Sequence, residues 1–573
     1  MKKYIATALL ILAASCLSAQ VDTFYIKMEY TPKLKTFKKI NESPNMTDTV
    51  SEKVQFNYYI TPQRYDVTFA PTPIEYNKVS PDIQEVLYRN YIKVGFGYPI
   101  TPLLDFSFHN LQTDRNNPNS FGLNVHHFSS WAKPIGKFMK QYAYYPTSDT
   151  RVHLNFKHFF KNQTLYSAIN YNHEAARFYG FKVNPEKEYN ADSLKNNFHH
   201  LNARIGIASN YVLEDRKLKQ DVRLDYDFLY TNWKDMENHI GLTSFFAYDA
   251  RWAKITGSQL YRANINFDFF NDDMDYKGSR NAFLFNPEVY AHFTIKEYHI
   301  LLGVGGIINA LDGKVGGTAY PIAELQLSVI PSILNIYAGV KGNCQYNSLK
   351  DLLYENPFLK PHLDTAAFTT HYINIYGGVK GNLVKKLNYN LSAHYSYAKN
   401  LQFFIIDTLS ENKNQFDVCY SNGNVLNINL NIDYEILSNL RFAFDANYWL
   451  YVLKDKAVPY HKPMLEFRFD GRYTLKEKFV FDVNFNLGFL SKGLGFSAKE
   501  GHWTAVDMKP TLDFGIGFEY LINNHFSAFA TVNNIGCQYY TKYYDFPNMG
   551  INALVGVKYS FGNESIRKPK KRK

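Results

Sequence analysis

The sequence predicts an all-β protein: a transmembrane antiparallel β-barrel of about 22 strands. Three observations carry this. Apolar and polar residues alternate with a period of two in one segment after another, which is the pattern of strands. The chain holds 46 Tyr and 45 Phe within a 17% aromatic fraction, yet its mean hydropathy lies below zero. Aromatic girdles around a wet, polar lumen produce that mixture. Finally, the connections between strands alternate between long and short, as barrel loops and turns do.

The chain opens Met-Lys-Lys-Tyr, continues with an apolar run from Ile5 to Ala14, and reaches Leu17-Ser18-Ala19-Gln20. A basic start, a short apolar core and a small residue predict a signal peptide over 1–19, cleaved between Ala19 and Gln20. The run is too short to span a bilayer as a helix. Cys16 raises a lipoprotein alternative, but Ala13 stands where a lipobox usually carries Leu. Beyond the cleavage site no run of about 18 apolar residues remains, so no inner-membrane helix is expected. Cys344, Cys419 and Cys537 stay in the mature chain, far apart and odd in number, which allows one bridge and no disulfide framework.

Residues 20–89 mix charged segments with strand-like pieces such as Gln55–Ile60 and Tyr65–Phe69, interrupted by Pro62, Pro71 and Pro73. Proline is confined to strand edges, so this region is expected to form a periplasmic or lumen-lining arm.

The barrel is expected over 90–561. Leu512, Phe514, Ile516, Phe518 and Tyr520 share one strand face, while Asp513, Gly515, Gly517 and Glu519 share the other. Leu465, Phe467, Phe469 and Tyr473 alternate with Glu466, Arg468, Asp470 and Arg472, and Leu426, Ile428, Leu430 and Ile432 alternate with Asn427, Asn429, Asn431 and Asp433. Arginine and aspartate on one face of a membrane strand require a polar interior. Counting back from Phe561, the links 537–548, 490–508 and 451–463 are long, and 521–524, 475–478 and 436–439 are short. A periplasmic C-terminus places every one of these long links outside. Further long outer loops are expected at 129–149, 174–196 and 343–370, rich in Asn, Lys, Tyr and Pro as exposed loops are.

Residues 562–573 form a basic tail, periplasmic on this topology. Six of the positive charges behind the net +11 lie in Arg567–Lys573. A solvated tail accounts for them; contact with acidic head groups or a partner is the sharper reading. No nucleic-acid role is expected of an exported chain.

Candidate chemistry is sparse. His126-His127 and His199-His200 are adjacent, and neighbours in a strand point to opposite faces, so neither pair can chelate as a pair. Glu174 beside His173 forms no H-E-x-x-H motif. Gly303-Val-Gly-Gly306 and Gly377-Gly378 lack the helix and the Lys-Ser/Thr of a phosphate loop; they read as glycines that ease barrel curvature. Asp48-Thr49-Val50, Asp192-Ser193-Leu194, Asp364-Thr365-Ala366 and Asp407-Thr408-Leu409 resemble a short bacterial O-glycosylation motif. No cofactor, metal or catalytic residue is expected.

Val532-Asn533-Asn534-Ile535, Tyr539-Tyr540, Tyr543-Tyr544-Asp545-Phe546-Pro547, and a last strand ending Lys558-Tyr559-Ser560-Phe561 resemble the end of TonB-dependent receptors. More closely, residues 90–561 resemble a Bacteroidota family of TonB-receptor-like barrels. The resemblance implies about 22 strands, with Tyr559 and Phe561 as the C-terminal signal read by the barrel-assembly machinery during insertion. True receptors carry a globular plug before the barrel, whereas 20–89 shows no TonB box or plug signature.

The reading is therefore a plugless, non-enzymatic outer-membrane barrel in contact with lipid. It is either a passive channel, with its lumen filled by the arm or by inward-folded loops, or an accessory component of an outer-membrane complex with periplasmic or surface protein partners. A TonB-linked nutrient transporter component is the alternative. An outer-membrane hydrolase, which needs a nucleophile and base brought together, is more distant.

Overall fold

The computed structural model describes residues 88–563 except 111–117, 133–144, 184–185, 188, 191, 211–217, 251, 253–256, 276–277, 385, 498–500 and 549. The expectations for the signal peptide (including Ala19 and Gln20), for most of the 20–89 arm and for the tail beyond Asn563 fall outside those residues.

Twenty-two strands close into one antiparallel sheet. They are β1 (Tyr88–Tyr98), β2 (Leu103–Asn110), β3 (Asn119–Ala132), β4 (Tyr145–Phe159), β5 (Gln163–Arg177), β6 (Lys195–Ser209), β7 (Leu218–Thr231), β8 (Met236–Asp249), β9 (Ser258–Met274), β10 (Gly278–Ile295) and β11 (Tyr298–Leu311). There follow β12 (Lys314–Ile330), β13 (Leu334–Tyr346), β14 (Phe368–Val384), β15 (Leu387–Ile406), β16 (Phe416–Leu437), β17 (Leu440–Leu453), β18 (Leu465–Leu475) and β19 (Phe479–Phe489). Two short pairs belong to loops: β20 (Lys492–Ser497) with β21 (His502–Asp507), and β24 (Thr541–Tyr543) with β25 (Phe546–Pro547). β22 (Thr511–Leu521), β23 (Phe526–Asn533) and β26 (Asn552–Asn563) complete the wall. β26 pairs with β1 in the register Phe561↔Asn90 and Tyr559↔Ile92, and this closes the ring. A closed ring satisfies every strand from both sides, the condition for a sheet to sit in lipid.

The alternation places its residues as the sequence predicts. In β1, Ile92, Val94 and Phe96 are exposed on the outer face. Outward rings form ladders across strands: Phe442–Phe469 (5.5 Å), Tyr473–Phe481 (6.3 Å), Phe481–Phe518 (5.2 Å) and Phe479–Tyr520 (5.0 Å). The other face carries polar ladders, in which Arg472 Nε donates to Asp482 at 2.7 Å, Arg468 Nε to Asp470 at 2.8 Å and Asn429 Nδ2 to Asp445 at 3.0 Å.

The glycines do more than ease curvature. A Cβ on Gly305 would lie 2.3 Å from the ring of Tyr320, and one on Gly342 would lie 2.5 Å from it. The ring thus rests on bare backbone of the strands on either side, and its hydroxyl donates to Glu288 at 2.7 Å.

Link lengths separate the two ends of the barrel. At one end the links are 111–118, 160–162, 210–217, 250–257, 296–297, 331–333, 385–386, 438–439, 476–478 and 522–525, none longer than eight residues. The other end carries every link of eleven residues or more, 133–144, 178–194, 347–367, 454–464, 490–510 and 534–551. It also carries the nine-residue 407–415 and the short links 99–102, 232–235, 275–277 and 312–313, which depart from a strict long–short alternation. β26 ends at the short-turn end. Cys344, Cys419 and Cys537 are free thiols, so the bridge that their number allows is not formed. Among the described residues no helix is long and apolar enough to cross a membrane.

Candidate functional site: a strapped lumen

The long loops converge on one another. The central piece is the link 347–367, which contains the helix α1 (Leu349–Glu355). Ser348 caps it by accepting from the Asp351 amide, and Leu349, Leu352 and Leu353, spaced for one helix face, are buried. This link is a strap across the lumen. On one side, Tyr354 Oη accepts from Asn172 Nδ2 at 3.0 Å and lies 3.0 Å from His200 Nδ1. Asn196 Nδ2 donates to the Pro357 carbonyl at 2.7 Å, and the His362 amide donates to Asp235 at 2.9 Å. On the other side, Gln402 Nε2 donates to Glu355 at 2.9 Å, Lys462 pairs with Glu355, and Lys360 Nζ meets Asp417 at 2.5 Å. The anchor strands β5–β6 and β15–β16 stand ten apart in a ring of 22, so the strap joins nearly opposite walls.

An apolar core locks the strap to other loops. Leu352, Leu359, Phe404, Phe416, Tyr543 and Phe546 are all buried in one cluster. Phe358 stacks on Phe546 at 4.2 Å, and Tyr179 meets Phe546 edge-on at 4.9 Å. Tyr179 Oη donates to the Pro547 carbonyl at 2.9 Å, and Asn414 Nδ2 donates to the Phe178 carbonyl at 2.7 Å. Desolvation of so many aromatic rings, with the loop backbone satisfied by cross-loop bonds, makes this layer a small folded unit. Burial pushes the Tyr354 hydroxyl up to about 12. Lys350 is raised: burial works against its charge, and the carboxylates of Asp227, Asp351 and Glu237 outweigh that effect.

Beneath the strap, a cavity of about 550 Å³ opens against the inner faces of β4–β9. His200 Nε2 meets Asp227 at 2.7 Å, while His239 bridges Asp227 at 3.0 Å and Asp268 at 2.9 Å. Asp225 receives Arg204 Nε at 2.5 Å and Arg223 Nε at 2.6 Å. Lys350 Nζ, carried by the strap, stands 3.5 Å from Asp227.

Of the residues singled out in the sequence, the histidine pairs split across the wall as expected. His200 faces the lumen, whereas His199 stacks on His173 at 4.5 Å on the outside. His126 bonds Asp105 and His127 bonds Thr150. Tyr559 and Phe561 share the outer face with ring centroids 5.7 Å apart, and Tyr559 also packs on Phe526 at 4.6 Å. Asp192-Ser193 and Asp364-Thr365 lie in long links and Asp407-Thr408 in the nine-residue link 407–415, where Leu409 is 91% exposed; Asp48 lies outside the described residues. The His200–Asp227–His239–Asp268 chain was not singled out. Its signal was the polar face of each strand, which becomes a cluster only when the register Asn202↔Asp227 and Asp227↔His239 is known.

No protein-family model matches this chain, and no curated protein matches it. Solved structures do share its fold. The siderophore receptor PirA from Acinetobacter baumannii aligns with a TM-score of 0.63 at 10% identity, covering 83% of this chain and 81% of that one. The pyoverdine outer membrane receptor FpvA from Pseudomonas aeruginosa PAO1, bound to pyoverdine, gives 0.63 at 10% identity over 83% and 79%. The FrpB iron transporter from Neisseria meningitidis gives 0.61 at 12% identity over 83% and 82%. The expected fold, a closed antiparallel barrel of 22 strands, holds, and these receptors and transporter share it.

Proposed function

We propose that this chain is a gated, non-enzymatic uptake barrel of the outer membrane rather than a standing diffusion channel. The single observation that carries the reading is the strap: Tyr354 and Glu355, consecutive in sequence, reach β5–β6 on one side and β15 with Lys462 on the other. A passive pore needs a continuous water path, and a buried apolar layer across the mouth opposes one. The likeness in fold to siderophore and iron receptors supports uptake of a solute captured from outside, and it favours the TonB-linked transporter alternative over the passive channel.

In this reading the long-loop end faces outward and the C-terminus is periplasmic, in line with short periplasmic turns and long outer loops. Tyr559 and Phe561 then end the last strand at the inner interface, where the assembly machinery would read them. The test is planar-bilayer conductance of the purified chain against a variant with 347–367 replaced by a short Gly-Ser linker. The intact chain should show no steady current, and the variant should open a wide pore. A persistent large conductance in the intact chain would return the passive channel to first place. Uptake that survives loss of TonB would remove the energised coupling.

A further inference from the structure

We infer that the cavity beneath the strap binds a solute bearing an anionic oxygen group, a carboxylate or a phosphate, clamped by Arg204 and Arg223. The inference rests on the uptake reading and names the class of solute. Asp225 is buried and splits its two oxygens between the Nε atoms of the two arginines. Those bonds fix both guanidinium planes yet use one donor of each, leaving the side chains 38% and 37% exposed to the cavity. Among the described residues the only further partner of their terminal nitrogens is Thr243, which receives Nη2 of Arg223 at 3.4 Å.

One carboxylate shared by two guanidinium groups leaves that trio one positive charge in excess, and the next carboxylate along β7, Asp221, accepts from Tyr166 Oη at 2.7 Å and bonds neither arginine. The other acids of the cavity are already answered: Asp227 by His200, His239 and Lys350, and Asp268 by His239. The unspent hydrogen-bonding capacity therefore consists of arginine N–H groups, which match the planar geometry of carboxylate and phosphate oxygens. Because Lys350 comes from the strap, an anion held here would lie between the wall and the gate.

The test is calorimetric titration of the full-length barrel in detergent with two probes, citrate and inorganic phosphate. Saturable binding of at least one is expected, weakened at least tenfold by Arg223→Gln and unchanged by Arg472→Gln, which lies on β18 paired with Asp482. Heat-modifiable gel mobility reports whether each variant is folded. Should Arg223→Gln fail to fold, Lys350→Met on the strap is the second variant, with weakened binding expected. Citrate alone would name a carboxylate solute, and phosphate alone a phosphorylated one. No binding of either probe, or equal binding by the intact chain and the folded variant, overturns the proposal. The uptake reading falls separately, by a standing conductance in the intact chain.

Discussion

The backbone N–H of Tyr544 donates to Nε2 of His461 at 3.2 Å, and Nδ1 of the same ring bonds the Phe404 carbonyl at 2.9 Å. A ring that accepts at one nitrogen and donates at the other is neutral. Burial drives its pKa down to about 4, against the pull of the Phe404 carbonyl and with help from Lys462. The unfolded value is about 6.5, so the loop layer is fully stabilised above that pH and loses stability as pH falls toward 4, by about 3 kcal/mol at most. Protease nicking within 454–464 and 534–551 should therefore rise between pH 7 and pH 4.5. His461→Gln should nick more at pH 7 and flatten the pH profile; an unchanged profile would falsify the role.

Phe416 is fully buried, with ring centroids of Tyr543, Phe546 and His461 all 5.4 Å away. It also extends the strap as a strand would, since its amide donates to the Phe358 carbonyl at 2.9 Å. Phe416→Ala should cost about 3–5 kcal/mol within the loop layer. The barrel wall does not depend on that ring, so gel mobility of the folded barrel should persist while hydrogen exchange in 347–367 accelerates. Loss of the folded barrel itself would mean that strap and wall form one cooperative unit.

The surface ion pair Lys187–Glu411 joins two loops at 2.5 Å, but both side chains are well exposed. Solvent screening and side-chain entropy leave such pairs with little net effect. Lys187→Ala should change neither loop protection nor barrel melting. A measurable loss would indicate that the two loops depend on this contact for docking.

How much of this was legible follows from what a strand pattern contains. The faces of β18, β19 and β22 could be read directly, because Arg468, Asp470 and Asn484 alternate with Phe467, Phe469 and Phe485 without a break. The longest links were legible too, since polar stretches interrupt the alternation, but the two- to four-residue links 99–102, 232–235, 275–277 and 312–313 break the expected long–short rhythm. The strap was not. Residues 343–370 look like an exposed loop by composition, and only the i, i+3, i+4 spacing of Leu349, Leu352 and Leu353 hinted at a buried helical face. The cavity was hidden for another reason: a slip of one residue in pairing sends a whole strand's side chains to the other face. Arg204, Asp225 and Thr243 meet only through the registers of three strands.

The outer wall makes a prediction that is independent of the loops. Val304 sits near the middle of β11 with 66% of its surface exposed, beside Val289 of β10, which is 61% exposed. Exposed valines paired on neighbouring strands are what a lipid-facing barrel wall presents. Val304→Arg should therefore destabilise the barrel in lipid by roughly 2–4 kcal/mol, the cost of a cation at the bilayer midplane. Asn429→Arg, on the inner face of β16, should cost far less, because its side chain stays in the polar lumen beside Asp445. Reversible urea unfolding in thin-bilayer vesicles measures both. Equal costs for the two substitutions would mean that Val304 does not face lipid, and a greater cost for Asn429→Arg would mean that the two faces of the wall are reversed.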